Sequence, residues 1–346
     1  MLWFQKDLFW RFNMLSHRYD VICIGGGLAG VCFAISCAKQ NKKVLIVEKN
    51  EYLGGSLLSD YCAKGVMTKS NELIHSTCLE EILEEMKKRD AIMSINGSPS
   101  FFSINPEELK IILLKKCEEY GVEVLFHAQP IEIETKQDKI VSTTFWGKGE
   151  RITVFSTYFI DCTGIGSYAS LLDIPYFTEK EPEVDYCISI CNISNPDLTS
   201  LSNHPSVSEV FPSPERNRVY VRFSPVNIGV IDSDSLYKAS VHFAKITYDY
   251  IDYMRNKYSI YKDMKLSSVP QSLSIKTFSK FQSKNDTTIL TEVLDACGNA
   301  HNIYLGELCP KEYSNLLICG KSLGSKCNNA GAVISISESA GSKLIQ

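Results

Sequence analysis

Three glycines and one acidic residue near the amino end of the chain have the types and spacing needed to hold a dinucleotide. Gly25, Gly27 and Gly30 form a G-x-G-x-x-G pattern between an apolar strand and a helical stretch, and a second apolar strand ends at Glu48. The first glycine permits a tight turn, the second lets a pyrophosphate approach the backbone, and the third lets the helix pack on the sheet. Glu48 can accept hydrogen bonds from a ribose and would repel a 2′-phosphate, which argues against NADP.

The elements around this motif make it more specific than a glycine pattern alone. The predicted helix begins at the glycine turn, so its N-terminus offers backbone N–H groups and a partial positive charge to phosphates. Two other interpretations remain open. The turn could be an empty glycine turn, or the uncharged run 21–38 could be long enough to span a bilayer. The consecutive glycines and the strand–turn–helix order favour a βαβ unit and predict no transmembrane span.

Composition narrows the class of protein further. The 346 residues suffice for two domains or one elaborated domain, and a net charge of -4 gives no basic surface for nucleic acid. The 13 cysteines include no C-x-x-C pair, and their odd number favours a reducing, cytoplasmic location. Residues 1–18 are interpreted as an N-terminal extension, because Asp7 and Arg11 interrupt any signal-peptide core.

Strand and helix signals predict an α/β fold with a Rossmann-like domain and a smaller α+β domain. The Rossmann-like domain comprises residues 19–175 and 310–346, with a parallel sheet and an inserted β-meander, and residues 176–309 form the substrate or cap domain. The predicted helices are Ser70–Arg89, a helix capped by Asn105 that stops before Gly121, Ser235–Tyr258 and residues 335–346. The predicted strands after Glu48 are Val122–Phe126, Ile131–Thr135, Ile140–Trp146, Ile152–Phe155, a separate strand ending at Thr163-Gly164, Tyr186–Ile193, Val219–Phe223, Leu273–Phe281 and Asn315–Gly320.

Several motifs in this order resemble the FAD-dependent oxidoreductases of the glutathione-reductase/p-hydroxybenzoate-hydroxylase superfamily. FIDCTGIG at 159–166 resembles the family motif I-D-A-T-G-D-G, and NLLICG at 315–320 resembles N-L-L-V-A-G. SESAG at 337–341 resembles a closing G-Q-A-A-G helix, and FFSINPEELK at 101–110 resembles a helix start of the family. The resemblance covers most of 19–175 and 310–346, is faint in 176–309, and implies FAD as the cofactor.

The resemblance also implies which positions contact FAD. The glycine turn would hold the pyrophosphate, Glu48 the adenosine ribose, and the backbone near Pro130 the adenine. The glycine pair at 54–55 would lie near the flavin side, and the last strand and a turn at 331–333 would approach the ribityl chain and the isoalloxazine. The complete set is Gly25, Gly26, Gly27, Leu28, Ala29, Gly30, Glu48, Lys49, Gly54, Gly55, Ser56, Pro130, Ile131, Thr163, Gly164, Gly320, Gly331, Ala332 and Val333.

Departures from the family pattern affect catalysis more than binding. The acid after T-G is replaced by Ile165, the arginine after the last strand by Lys321, and arginines upstream of that strand by the run at 274–276. Cys62 has no partner cysteine near the glycine pair, which argues against a disulfide reductase, and no second nucleotide fingerprint for NADPH is complete. No catalytic residue is assigned: His301, Lys321, Arg222 and Tyr220 are candidates, each interpreted as an ordinary surface or core residue. Cys187 and Cys191 are not interpreted as a metal site.

These observations predict an FAD-dependent oxidoreductase that transfers a hydride between a small organic substrate and the flavin. The alternatives are an NAD-dependent dehydrogenase that uses the same fingerprint and a flavin-binding protein without turnover. The Gly54-Gly55 pair and the strand ending at Thr163-Gly164 argue against the dehydrogenase. The electron acceptor and the substrate are not specified by the sequence.

Overall fold

The helices and strands are those of a computed structural model that describes residues 18–66, 76–98, 100–178, 181–276, 279–294, 299–324 and 329–343. Of the predicted N-terminal extension, residues 1–17 lie outside the described residues, as do residues 70–75 of the helix predicted from Ser70. The α-helices of the described residues are α1 Leu28–Ala38, α2 Leu57–Asp60, α3 Thr77–Lys88, α4 Pro106–Glu119, α5 Ser167–Ser170, α6 Leu198–Leu201, α7 Ser233–Lys257 and α8 Ala330–Lys343.

A seven-stranded sheet combines strands from residues 18–161 with one strand near the end of the chain. Its strands are β1 Arg18–Ile24, β2 Val44–Glu48, β6 Glu123–Phe126, β7 Gln129–Lys136, β8 Lys139–Trp146, β9 Arg151–Asp161 and β19 Leu316–Ile318. The parallel part runs in the order β6-β2-β1-β9, with β19 pairing on β9, and the antiparallel β8 and β7 extend it as a meander. The carboxyl ends of β1, β2, β9 and β19 therefore lie at one edge of the sheet, where ligands of open α/β sheets bind.

Strand β9 corrects the prediction of two separate strands over residues 152–164. Its first half pairs antiparallel with β8, with Phe155 opposite Ser142. Its second half pairs parallel with β1, with Asp161 opposite Ile24, so one continuous strand belongs to both parts of the sheet. The strand ends at Asp161 rather than at Gly164. Local sequence could not reveal this continuity, because the pairing partners of each half are distant along the chain.

Burial explains the uncharged run 21–38. Residues Leu28 to Cys37 of α1 are all buried, and the four residues Val21–Ile24 of β1 are at most 2% exposed. A strand with both faces covered by helices needs no polar face. None of the helices in the described part of the chain is both long and apolar enough to cross a membrane.

A second, antiparallel sheet follows along the chain and packs against the long helix α7. Its strands are β11 Glu183–Cys191, β12 Val207–Pro212, β13 Arg218–Asn227, β14 Lys265–Ser268 and β15 Ser274–Lys276. Phe243 and Tyr250 of α7 are fully buried in a separate apolar cluster with β11 and β13. This agrees with the predicted helix over 235–258 and its apolar face.

Three smaller sheets complete the described strands. They comprise β3 Cys62–Lys64 with β5 Phe101–Ile104 and β4 Ile92–Ser94, β10 Tyr176–Thr178 with β16 Ser279–Phe281, and β17 Ile289–Leu294 with β18 Ala300–Tyr304. The single strand predicted over Leu273–Phe281 is therefore wrong, because β15 pairs with β11 whereas β16 pairs with β10. Phe281, Leu290 and Ile303 pack with the apolar cluster of the first sheet.

Candidate functional site

The glycine turn at the end of β1 is sterically constrained in the way that the motif predicts. A Cβ on Gly30 would lie 2.0 Å from the carbonyl oxygen of Gly25, and a Cβ on Gly25 would lie 2.4 Å from that of Cys162. A Cβ on Gly27 would meet nothing closer than the Cα of Gly55 at 3.8 Å. The first and third glycines are therefore required by packing, whereas the space beside Gly27 is open to a ligand.

Helix α1 presents its N-terminus at this turn without a side-chain cap. Gly27 is the N-cap residue, and the described structure has no side-chain capping hydrogen bond at this end of the helix. The first turn also contains no acidic residue. An uncapped N-terminus at a glycine turn is suited to phosphate oxygens, because they can accept from the first N–H groups and benefit from the helix dipole.

Glu48 is buried and fixes the glycine turn. Its Oε2 accepts a 2.7 Å hydrogen bond from the N–H of Gly26. Its Oε1 accepts from the backbone N and the Nδ2 of Asn50 at 2.8 and 2.9 Å. A carboxylate oxygen has two acceptor positions, so Oε2 retains one for a ribose hydroxyl. The adjacent Lys49 is exposed.

The predicted glycine pair lies directly against the first glycine turn. Gly54 pairs with Gly27 through an isolated parallel bridge, and its N–H donates to the carbonyl oxygen of Gly26 at 2.8 Å. A Cβ on Gly55 would lie 2.9 Å from the Cα of Gly27. Ser56 then precedes α2 as its N-cap residue. The two glycine segments, which are 24 or more residues apart in sequence, therefore form one backbone surface.

Asp161 holds the turn that contains Thr163 and Gly164. The Asp161 carboxylate is fully buried and accepts from the N and Oγ1 of Thr163 at 2.9 and 2.6 Å, and from the N of Ala169 at 2.9 Å. Burial raises the pKa of Asp161, whereas these hydrogen bonds lower it, and the net direction is upward. A Cβ on Gly164 would meet nothing within 4 Å. The sequence contains Asp161 in the quoted motif, but its positioning role is visible only in the structure.

The last strand brings Gly320 to the start of α1. Gly320 has a φ of 95°, and a Cβ there would lie 3.2 Å from the Cβ of Ala29. A small apolar cavity of about 20 Å³ lies between the starts of three helices, with Leu28, Leu57 and Ala330 among its lining residues. The beginning of α8 is therefore close to the beginning of α1.

The prediction of a turn at 331–333 needs correction. Gly331, Ala332 and Val333 are buried in the first turn of α8, which begins at Ala330. The side chain of Asn329 accepts from the N–H of Ala332 at 2.8 Å. Small residues occur both in turns and in helices that approach another backbone closely. The residue types at 331–333 therefore did not distinguish a turn from a helix.

Pro130 and Ile131 lie near the start of β7, the edge strand that pairs with β8. Two hydrogen bonds connect this region to the acid: His127 N–H donates to the Asn50 carbonyl oxygen at 3.2 Å, and Ala128 N–H to that of Glu48 at 3.1 Å. Ile131 is exposed. The predicted adenine contact is thus on the same side of the fold as Glu48, although no direct contact joins Pro130 to the glycine turn in the described structure.

A charged cluster lies between the two sheets, and Arg222 of β13 is at its centre. Its Nη2 donates to the carbonyl oxygen of Asp60 and to the Sγ of Cys62, both at 3.0 Å, and its Nη1 lies 3.3 Å from Oδ2 of Asp185. The Nζ of Lys321 lies 3.7 Å from Oδ2 of Asp60. This cluster joins α2, which follows the glycine pair, to the residue after Gly320 and to the second sheet.

Electrostatics in this cluster favour the charged form of Arg222. Burial lowers the pKa of Arg222, but neighbouring Cys62, Cys187, Asp60 and Asp185 raise it more strongly. Burial raises the pKa of the Cys62 thiol to about 11, although Arg222 opposes that rise. Cys62 is therefore a protonated thiol at neutral pH, consistent with its interpretation as a packed residue.

Of the four candidate catalytic residues named from the sequence, Arg222 and Lys321 belong to the charged cluster, whereas Tyr220 has a packing role. Tyr220 is fully buried, stacks on Tyr61 at a centroid distance of 4.5 Å and donates to the carbonyl oxygen of Ile104 at 3.0 Å, so it joins the two parts of the fold. His301 lies in β18 of a two-stranded sheet. Within the described residues, no group of three or more His, Cys, Asp or Glu side chains could hold a metal.

Comparisons with known proteins agree with this geometry. A family model described as FAD dependent oxidoreductase matches residues 20–210, more than half of the 346 residues. The chain is 31% identical over 115 residues to a 3-oxosteroid 1-dehydrogenase from Mycolicibacterium smegmatis. That match covers 31% of this chain and 20% of the dehydrogenase, so it concerns only a small part of the relative.

Solved structures share the fold over most of the chain. A geranylgeranyl bacteriochlorophyll reductase-like protein from Thermoplasma acidophilum superimposes with a TM-score of 0.57 at 14% identity, over 94% of this chain and 76% of that one. A myxobacterial chondrochloren halogenase described as FAD-dependent gives a TM-score of 0.56 at 13% identity, over 94% and 73%. At such identities the likeness establishes the fold alone.

Proposed function

Because this chain belongs to the FAD-dependent oxidoreductase family, we propose that it is an enzyme that transfers a hydride between a small organic substrate and the flavin. FAD is the cofactor of this family, and the flavin supplies the redox chemistry when it is bound. The observation that carries the proposal is the backbone surface made by Gly27, Gly54 and Gly55 at a glycine-capped helix N-terminus, with open space beside Gly27. Among the described residues, a Cβ at Gly27 would have the Cα of Gly55, at 3.8 Å, as its nearest contact.

The protein's own groups would bind the cofactor along this surface. In the proposal, the residues from Gly25 to Gly30 bind the pyrophosphate through backbone N–H groups, and Glu48 accepts from the adenosine ribose. Lys49, Pro130 and Ile131 are placed on the adenosine side. Thr163 and Gly164 close over the pyrophosphate, Gly54, Gly55 and Ser56 lie toward the flavin, and Gly320, Gly331, Ala332 and Val333 approach the flavin end.

We propose that the substrate meets the flavin beside the charged cluster of Asp60, Arg222 and Lys321. Two of these residues follow segments assigned to the flavin end, since Asp60 ends α2 and Lys321 follows Gly320. The third comes from the second sheet, which lies within the residues 176–309 proposed as the substrate domain, beside the FAD-binding domain proposed for 19–175 and 310–346. The contact between Lys321 and Asp60 at 3.7 Å is longer than a hydrogen bond, so the ammonium can turn toward a substrate.

A binding experiment tests the proposal directly. We expect the purified protein to be yellow, to release FAD on denaturation, and to lose affinity for FAD when Glu48 is changed to Lys. Titration of apoprotein with FAD and with NADH separates the proposal from an NAD-dependent dehydrogenase. A colourless protein that binds no added FAD would contradict it.

The replacement of the family's arginine by Lys321 favours a second candidate, a flavin-binding protein without turnover. Anaerobic photoreduction followed by a screen of oxygen and other acceptors distinguishes the two. Rapid reoxidation by a defined acceptor supports the enzyme, and slow, unselective reoxidation supports the second candidate.

We also propose a cytoplasmic location, because the odd number of cysteines without a C-x-x-C pair favours a reducing compartment.

A further inference from the structure

Two buried cysteines on neighbouring helices lie in contact at a place that the proposed redox chemistry does not use. The Sγ of Cys78 is 3.2 Å from the Sγ of Cys32. Cys32 lies in the middle of α1 and is 0% exposed, and Cys78 lies in the first turn of α3 and is 2% exposed. The two residues are 46 positions apart in sequence, so only the packing of α1 against α3 brings the sulfur atoms together.

The two thiols differ in their surroundings. The hydrogen bond from Cys78 and burial both raise the pKa of Cys32 well above its usual value. Cys32 therefore stays protonated at neutral pH and does not start a reaction, because the thiolate is the nucleophile. Cys78 lies near the surface end of the pair, where its backbone N–H donates to Oε1 of Glu338 at 3.3 Å.

A surface cavity lies beside the first turn of α3, the helix that carries Cys78. The cavity has a volume of about 350 Å³, and its walls include Ser76 and Thr77, which immediately precede Cys78, together with Glu80 and Glu338. Both cysteines are buried, and Cys78 is the second residue of α3, directly after the wall residue Thr77 in sequence. A local opening of the first turn of α3 would expose Cys78 first.

We propose that Cys32 and Cys78 are a reversible redox site that forms a disulfide with a peroxide as the oxidant. The Cys78 thiol gives up its proton as its sulfur attacks one peroxide oxygen; the O–O bond breaks, the sulfur becomes a sulfenic acid, and the leaving hydroxide takes the proton and departs as water. The Cys32 sulfur then attacks the Cys78 sulfur and the S–O bond breaks; the leaving hydroxide takes the proton of the Cys32 thiol and departs as a second water. In total, two thiols lose two protons and two electrons, and hydrogen peroxide is reduced to two molecules of water.

The cross-link would enclose the segment that carries Glu48 and the glycine pair. The ring closed by Cys32 and Cys78 contains β2, Gly54, Gly55 and α2, and it joins the helix whose N-terminus forms the proposed cofactor surface to α3. Restricting this loop in the unfolded chain stabilises the fold, and the effect grows with loop length. We therefore expect oxidation to raise the melting temperature by roughly 5 °C.

Peptide mapping of the reduced, purified protein after treatment with hydrogen peroxide tests the site. Remaining thiols are blocked with N-ethylmaleimide before digestion. The expected result is one disulfide-linked peptide pair containing Cys32 and Cys78, a loss of about 2 Da in intact mass, and reversal of both by dithiothreitol. Cys78→Ser should abolish the linked pair, whereas Cys37→Ser, which removes another buried thiol of α1, should leave it intact.

The mapping of the unchanged protein decides the matter even if a variant folds poorly. Free thiols at both positions after oxidation would overturn the proposal. So would linkage of Cys78 to a different cysteine such as Cys117, or an unlinked sulfinic acid at Cys78. None of these outcomes bears on FAD binding, so the redox site and the proposed function can fail independently.

Discussion

The backbone N–H of Gly26 donates to Oε2 of Glu48 over 2.7 Å, so the acid that ends β2 holds the turn that ends β1. The same side chain accepts two further hydrogen bonds from Asn50 and is 5% exposed. Glu48 is thus both a positioning residue for the glycine turn and the proposed ligand of the ribose. A single substitution should affect turn geometry and cofactor binding together.

Replacing Glu48 by Gln tests this double role. Glutamine keeps the size of the side chain but removes the charge and one acceptor, and a hydrogen bond to a charged group contributes about 1.5–3 kcal/mol. We expect the affinity for FAD to fall about tenfold or more, measured by fluorescence titration of apoprotein. Glu51→Gln, at a neighbouring acid whose side chain is 57% exposed, should leave the affinity unchanged; an equal loss in both variants would refute a specific role for Glu48.

Two alanine substitutions in the glycine turn should separate binding from folding. In Gly27→Ala the new methyl group meets no protein atom closer than 3.8 Å, so the melting temperature should stay within about 1 °C of the original. The same methyl group occupies the space proposed for the pyrophosphate, so FAD affinity should fall at least about tenfold. Full FAD affinity in a folded Gly27→Ala protein would show that the pyrophosphate does not lie there.

Gly30→Ala should have the opposite pattern. Its Cβ would lie 2.0 Å from the carbonyl oxygen of Gly25, and neither backbone can move away without disturbing the helix or the strand. We expect the free energy of unfolding to fall by about 3 kcal/mol, as overpacking of a close contact does. Urea unfolding followed by circular dichroism measures the change, and an unaltered midpoint would contradict the close approach of α1 to the strand.

The buried carboxylate of Asp161 should make a pH-dependent contribution to stability. Its folded pKa is raised above the ordinary value of 3.8, mainly by burial. A raised pKa means that the folded state binds the proton more tightly, so this contribution is greatest below the unfolded pKa and is lost as pH rises through the folded pKa. Protonation of Asp161 should therefore contribute more to the free energy of unfolding at about pH 4 than at about pH 7.

The Asp161→Asn variant has no ionisable group at this position, so it serves as the control for the pH-dependent contribution of Asp161 to stability. An asparagine N–H₂ group would face the N–H of Ala169 or the donors of Thr163, so the variant should also lose about 1–3 kcal/mol at neutral pH. Urea unfolding of both proteins across the pH range gives the difference between them. That difference should grow as the pH falls, and a constant difference would contradict the raised pKa.

Arg222 should contribute more to stability than other arginines of its strand. Its side chain is 11% exposed, and its removal would leave the carboxylate of Asp185, which is 3% exposed, with Lys276 as its remaining cation among the described residues. We expect Arg222→Met to lower the free energy of unfolding by about 3 kcal/mol, because a buried carboxylate loses a partner. Arg218→Met, at an arginine that pairs with Glu215 nearer the surface, should cost less than about 1 kcal/mol. Equal losses would show that burial of the cluster is unimportant.

The sequence by itself determined the βαβ unit and its glycine turn, because every part of that signal lies within residues 19–49. The steric limit at Gly30 acts against the carbonyl oxygen of Gly25, five residues away in the chain, so a local pattern was sufficient there. The helix capped by Asn105 was predicted for the same reason, since Asn105 accepts from the N–H groups of Glu107 and Glu108. The buried face of α7 was also predictable, because its apolar residues recur at helical spacing along the sequence.

Tertiary structure decided the features that depend on distant partners. The continuity of β9 requires β8 on one half and β1 on the other, and the helical conformation of 331–333 requires a capping contact from Asn329. The ion pairs of Arg222 with Asp60 and Asp185 join segments that are far apart in the chain, as does the contact of Cys32 with Cys78. Such contacts carry no local signature, because a charged or small buried residue gains its partner only when the whole chain has packed.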